Sequence, residues 1–133
     1  SSRLMQVYEQ SRVVESQDID HLNHVNNIRY LEWIQAIARA HWTSLTTQEQ
    51  RQANFWVVLR HEIDYKASAF VGDSLRIKTY VSECAGVTSI RIVEIYNADT
   101  QKLLVKSKTK WCMTDPQTQR PKRIPNDILT IFD

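Results

Sequence analysis

The spacing of apolar and polar positions changes twice along the chain. In residues 4–15 (LMQVYEQSRVVE), β-branched and aromatic residues partly alternate with polar ones, which predicts a first strand. From Asn27 the period becomes helical. Ile28, Leu31, Ile34, Ala38, Trp42 and Leu45 recur at three- and four-residue spacing, and Tyr30, Trp33 and Ile37 form a second stripe beside them. Arg29, Glu32, Gln35 and Arg39 take the remaining positions. So wide an apolar arc predicts a helix enclosed on several sides, as a curved sheet would enclose it. Asn26 is suited to cap this helix, because its side chain can accept an orphan N–H. Residues 46–53 (TTQEQRQA) are polar and predict a short exposed helix behind a Thr cap.

Beyond residue 54 the period is two. Residues 55–67 put Phe55, Val57, Leu59, His61, Ile63 and Tyr65 on one face of a strand. In 74–84, Leu75, Ile77, Thr79 and Val81 alternate with Arg76, Lys78 and Ser82. In 87–97, Ile90 and Ile92 lie opposite Ser89, Arg91 and Val93. In 102–114, Leu103, Val105, Ser107, Thr109 and Trp111 alternate with Lys106, Lys108 and Lys110. Short turns at Val71-Gly72-Asp73, Ala85-Gly86 and 97–100 predict antiparallel pairing. All three prolines fall in 115–125, which reads as a loop, and 126–132 as a closing helical turn. Strand, helix and four strands make an α+β fold, a curved antiparallel sheet around a long central helix, in one domain over 1–133. One helix cannot cover both faces of a sheet, so extension or packing of the sheet between copies is expected.

Composition narrows the class. Hydrophobic content of 42% against 24% charged residues is that of a globular chain. A net charge of +2 without a concentrated basic stripe argues against nucleic acid as a partner. Cys84 and Cys112 fall in predicted strands, outside any metal-binding spacing, and behave there as small hydrophobes. The first ten residues lack a signal-peptide core, and no apolar run is long enough to span a membrane. The expectation is a cytoplasmic protein with no membrane partner.

Between the first strand and the helix lie Asp18, Asp20, His21, Asn23, His24, Asn26 and Asn27. Three readings suit so dense a polar run. A carboxylate beside a helix N-terminus can serve as nucleophile or general base while the free N–H groups hold an oxyanion. A thioester suits this chemistry because a thiolate leaves without strong acid assistance. Metal binding by Asp18, Asp20, His21 and His24 is the second, although the spacing matches no established ligand pattern. In the third, Asp and Asn only satisfy backbone groups at a turn and a cap.

The run D-x-D-x-x-x-HVNN-x-x-Y-L-x-W, from Asp18 to Trp33, resembles the signature of hotdog-fold thioesterases. It is similar to the 4-hydroxybenzoyl-CoA thioesterase family, and within it to the acyl-CoA and acyl-ACP thioesterase branches that carry HVNN. Residues 63–81 (IDYKASAFVGDSLRIKTYV) resemble that family's second conserved stretch more loosely. The resemblance implies hydrolysis of an acyl-CoA or acyl-carrier-protein thioester. It implies no metal and no cofactor beyond the CoA or phosphopantetheine of the substrate, and a homodimer or homotetramer. It makes Asp20 the catalytic carboxylate and His24 the residue that assists or positions water. Asn26, Asn27 and Tyr30 become substrate-binding residues, and Asp18 and Asn23 shape the loop. Asn23 stands where many members have Gly. Leu22 stands where plant acyl-ACP thioesterases have Asn, and Tyr65-Lys66-Ala67-Ser68 lacks the later acid those enzymes use. A non-catalytic acyl- or thioester-binding hotdog protein is the alternative.

Outside the motif, His21 is expected in solvent, His41 and His61 in packing roles, and Glu62 and Asp64 on a solvated strand face. Trp33, Trp42 and Trp56 are expected in the core or along an acyl tunnel. Arg60, Lys66, Arg76, Lys78, Arg91, Lys106, Lys108, Lys110, Lys122 and Arg123 are candidates for CoA phosphates or an acidic carrier, with solvated strand faces as the simpler reading of most.

Overall fold

The computed structural model describes residues 6–132. Residues 4 and 5 of the expected first strand lie outside them. β1 (Tyr8–Val13) leads through a single 3-10 turn (Ser16–Asp18) and a loop into α1 (Asn27–Leu45). α2 (Gln48–Ala53), β2 (Phe55–Tyr65), β3 (Ser74–Ala85), β4 (Thr88–Asn97), β5 (Leu103–Thr114) and α3 (Asn126–Phe132) follow. The strands form one antiparallel sheet in the order β1-β3-β4-β5-β2. It curves around α1, so the α+β architecture is the one the residue pattern predicts.

Local chemistry sets the helix ends. The Asn26 side chain accepts from Ile28 N–H at 3.1 Å and starts α1. Thr47 and Gln50 form a reciprocal capping box that starts α2. Arg51 donates to the Thr43 carbonyl at 3.2 Å and so supports the last turn of α1, where positive charge is favoured.

α1 turns Tyr30, Trp33, Ile34, Ile37, Ala38 and His41 inward. The core is therefore centred on the Tyr30-Trp33-Ile37 stripe. Ile28, placed on the other stripe from spacing alone, is 64% exposed. Its position in the first turn, beside the polar loop, leaves nothing to cover it. Tyr30, Trp33, Ile34 and Ile37 pack with Leu75, Ile77, Val93, Ile95 and Val105 from the inner face of the sheet. Burial of each such side chain contributes on the order of 2 kcal/mol. A smaller cluster of Met113, Ile124 and Ile128 closes the other end, where α3 docks.

β2 departs from the pattern. Its pairing with β5 shifts between Val58 and Arg60, a bulge that reverses which side faces the core. Phe55, Val57 and Leu59 are exposed as a result, while His61 and Ile63 remain half-buried. The single face expected for all six residues is split in two. β2 is also an edge strand.

Arg91 is the second correction. It is only 6% exposed and is not a solvated surface cation. β4 presents Ser89, Arg91, Val93 and Ile95 to the inside, since their cross-strand neighbours Thr109 and Ser107 are buried too. Arg91 Nη1 donates to His41 Nδ1 at 2.9 Å and to Thr79 Oγ1 at 3.0 Å. His41 must be neutral to accept that bond. Burial, then the nearby guanidinium, lower its pKa to about 4. Tyr8 stacks on its ring at 5.2 Å. Cys84 and Cys112 are both free thiols, and burial raises the Cys84 pKa to about 11.

The unfolded chain protonates His41 near its ordinary pKa of 6.5, whereas the folded protein resists until about 4. Folding is thus favoured above that window, and stability falls as pH drops through it, by about 3 kcal/mol for this residue. Urea unfolding at neutral pH and near pH 4 should show that loss in the wild type and a smaller one in His41→Gln, whose amide oxygen accepts from Arg91 but does not titrate.

Candidate active site

The loop between β1 and α1 is built on a buried carboxylate. Asp18 is 5% exposed. Its Oδ2 accepts from Glu15 N–H at 2.9 Å, and its Oδ1 lies 3.5 Å from Arg29 Nε. Its backbone carbonyl accepts from Asn26 N–H at 2.9 Å, which ties the loop to the start of α1. Beyond it the chain makes a small hairpin. Ile19 bridges Val25, and Asp20 N–H donates to the His24 carbonyl at 2.9 Å. Val25 N–H donates to the Ala69 carbonyl at 3.0 Å, which docks the hairpin on the β2–β3 connection.

The tip of the hairpin turns at Asn23, whose φ is 64°. This is the left-handed region that glycine favours and that Asn tolerates better than other residues. Asn in place of the glycine of many hotdog thioesterases therefore keeps the turn. Asn23 N–H donates to the Asp20 carbonyl at 3.0 Å and Leu22 N–H to Asp20 Oδ1 at 2.9 Å. Among the described residues, Asp20 Oδ2 has no hydrogen-bond partner.

Asp20, His24, Asn26, Asn27 and Tyr30 line one cleft of about 430 Å³ together with Leu22, Val25 and the segment 65–68. Asp18 and Asn23 do not line it and act on its backbone. His24 Nδ1 lies 3.3 Å from Ser68 Oγ, and its ring meets Phe70 edge-on at 5.3 Å. Ile28 N–H is capped by Asn26, and Arg29 N–H donates to the Asn26 carbonyl at 2.8 Å. Asn27 N–H, the first of the helix, has no partner among the described residues. A helix N-terminus carries partial positive charge, so this N–H suits an oxygen that gains negative charge. The Tyr30 hydroxyl is buried without a hydrogen bond; burial raises its pKa, and the nearby Ala69 backbone opposes part of that rise.

Tyr65, Lys66 and Ser68 complete the cleft. Sequence spacing alone does not join them to the loop; the one pointer was the loose resemblance over 63–81. His21 is exposed outside the cleft, and His61 donates to or accepts from Thr109 Oγ1 at 2.8 Å. Among the described residues, no three His, Cys, Asp or Glu side chains come together as metal ligands would. No helix among them is long and apolar enough to cross a membrane.

A long helix wrapped by a five-stranded antiparallel sheet, with a polar cleft at its N-terminus, is a hotdog fold. Residues 14–132 match the thioesterase-like superfamily, and the chain belongs to that family, which hydrolyses thioesters. No curated protein sequence matches it. Solved structures share the fold at low identity. A 1,4-dihydroxy-2-naphthoyl-CoA thioesterase from Synechocystis superposes with a TM-score of 0.83 at 18% identity, covering 96% of both chains. The hypothetical protein SAV2348 from Staphylococcus aureus, in complex with CoA, gives 0.85 at 17% identity over 98% of this chain and 84% of that one. The 12:0-ACP thioesterase from Umbellularia californica gives 0.84 at 16% identity, with 96% of this chain on 51% of that enzyme.

The turn at Asn23 yields a direct test. Asn23→Gly should leave the urea midpoint nearly unchanged. Asn23→Val should cost about 1–2 kcal/mol, because a β-branched residue is strained at positive φ.

Proposed function

We propose that the cleft hydrolyses an acyl thioester carried on CoA or on an acyl-carrier protein, with Asp20 as the reacting carboxylate. The observation that carries this reading is that Asp20 and Asn27, whose N–H has no partner among the described residues, line the same cleft. The thioester carbonyl oxygen accepts from Asn27 N–H. Asp20 either attacks the carbonyl carbon or takes a proton from an attacking water. When water attacks, the C–S bond breaks, the thiolate leaves and takes up a proton equivalent to the one Asp20 accepted, and the free carboxylic acid remains; when Asp20 attacks, loss of the thiolate leaves an acyl–Asp20 anhydride. If Asp20 is the nucleophile, water hydrolyses the resulting anhydride. His24, steadied by Ser68, positions the water. Asn26 fixes the helix end, and Tyr30 forms the floor of the cleft. Lys66, exposed at the rim, is available to a phosphate of the carrier.

A second reading is a hotdog protein that binds acyl thioesters without turning them over. The hydrogen bond from Leu22 N–H favours it, since it occupies one of the two oxygens of Asp20. Thiol release across acyl-CoA chain lengths separates the two. Asp20→Asn should lower kcat by about 10²-fold or more with an unchanged melting curve. Wild-type rates in that variant, or no release of thiol by the wild type, would remove Asp20 from the chemistry.

The reading includes a dimer built on the β2 edge. Among the described residues its outer backbone edge is unpaired, and Phe55, Val57 and Leu59 are exposed along it, at 53%, 47% and 56%. Exposed apolar edges of this kind favour pairing with a second strand. Leu59→Lys should shift the wild-type dimer to monomer in sedimentation velocity.

A further inference from the structure

A second cavity, of about 400 Å³, lies at the other end of α1, between its C-terminal half and the start of β2. Ala38 on its wall is eleven residues from Asn27, about 16 Å along the helix axis. Along α1 the cleft is lined as far as Tyr30 and the cavity from Gln35, about 8 Å further on, and no residue lines both. Its properties also differ. No Asp or Glu lines it among the described residues, whereas Arg39, Arg51 and Arg91 do.

Arg91 is the unusual member. It is 94% buried and has no carboxylate partner among the described residues. One Nη group is held by neutral His41 and Thr79, while Nη2 and Nε have no hydrogen-bond partner there. A buried charge without a counterion is costly, which is why such groups are rare unless something neutralises them. Two more groups sit beside it on the same sheet face. Ser89 is two residues away on β4, and its cross-strand partner is Trp111. The Trp111 ring lines the cavity, while its Nε1–H is fully buried and does not open into it. The other walls are aromatic: Trp42 and Trp56 meet edge-to-face at 5.8 Å, and Phe132 stacks on Trp42 at 6.4 Å.

We propose that this cavity is a second binding site, taking a free carboxylic acid with an apolar body. Its carboxylate is held by Arg91 and Ser89, and its body lies against Trp42, Trp56, Trp111 and Phe132. A guanidinium fork matches a carboxylate in shape, and one negative charge neutralises one buried Arg91. The aromatic walls of Trp42, Trp56 and Phe132 favour a ligand with an apolar body over an inorganic phosphate. The volume lies in the range of small-ligand sites. The site is independent of the thioester reading and of Asp20.

Titration calorimetry on the full chain tests it, with phenylacetate and octanoate as probes and phenylacetamide and octanol as their uncharged counterparts. The acids should bind saturably, and the uncharged counterparts about 10- to 100-fold more weakly, the loss expected with a charge-assisted hydrogen bond. Arg91→Gln should lose the acids by a similar factor, while Asp20→Asn should bind them as the wild type does. Ser89→Ala removes only a hydroxyl, so it should weaken binding even if Arg91→Gln fails to fold. The proposal is overturned if no acid binds at millimolar concentration, if acid and uncharged counterpart bind alike, or if binding is lost in Asp20→Asn and kept in Ser89→Ala.

Discussion

The rest of the structure depends on how the inner face of α1 is enclosed. That face is apolar through Tyr30, Trp33, Ile34, Ile37 and Ala38, then meets His41. The sheet answers in kind. Leu75, Ile77, Val93, Ile95 and Val105 cover the first turns, and a band of Thr79, Arg91, Ser107 and Thr109 follows. Apolar burial in the first half supplies the driving force for wrapping. The second half can then hold polar groups and open space that would be too costly in a core of this size on their own.

The same enclosure fixes the N-terminal end. Asp18 does not touch the cleft, yet its carboxylate, its carbonyl and its pairing with Arg29 set the path of the loop. Val25 and Ala69 join that loop to the β2–β3 connection. The positions of Asp20 and of the free Asn27 N–H are therefore set by hydrogen bonds behind the cleft. On the hydrolytic reading proposed above, a donor fixed in this way needs no rearrangement when charge develops on a bound carbonyl.

Much of this was legible in the residues, for reasons that differ from place to place. Period and turn chemistry are local, so α1, its Asn26 cap, the Thr47 cap of α2 and the long strands β3 to β5 could be read directly. The DIDHLNHVNN run is also local, and its resemblance to hotdog thioesterases gave the family before any geometry. What could not be read was set by pairing between distant segments. The bulge between Val58 and Arg60 exists only against β5, and without it alternation continues unbroken through Leu59. Both sides of β4 mix apolar and polar residues, so the inward turn of Arg91 depends on its neighbours across the sheet. Charge gave the wrong expectation there, because an arginine on a strand is ordinarily solvated. Tyr65, Lys66 and Ser68 reach the cleft only because the loop docks on Ala69.

The two ends of α1 differ in the charge they are built to receive. At the N-terminus, on the hydrolytic reading proposed above, a carboxylate and an N–H without a partner among the described residues meet a group that is neutral on arrival and becomes negative as a nucleophile adds. That arrangement favours a thioester carbonyl over an acid, because Asp20 would repel a carboxylate. At the far end, Arg91 carries a permanent charge with His41 held neutral beside it, and no acidic residue among those described opposes an anion there. That arrangement favours a carboxylate over a thioester. On these readings the chain separates the two states of one acyl group: it excludes the acid from the cleft that makes it and has room for it elsewhere. The two chambers share no lining residue, and the buried Ile34 lies on α1 between Tyr30 of the cleft and Ala38 of the cavity.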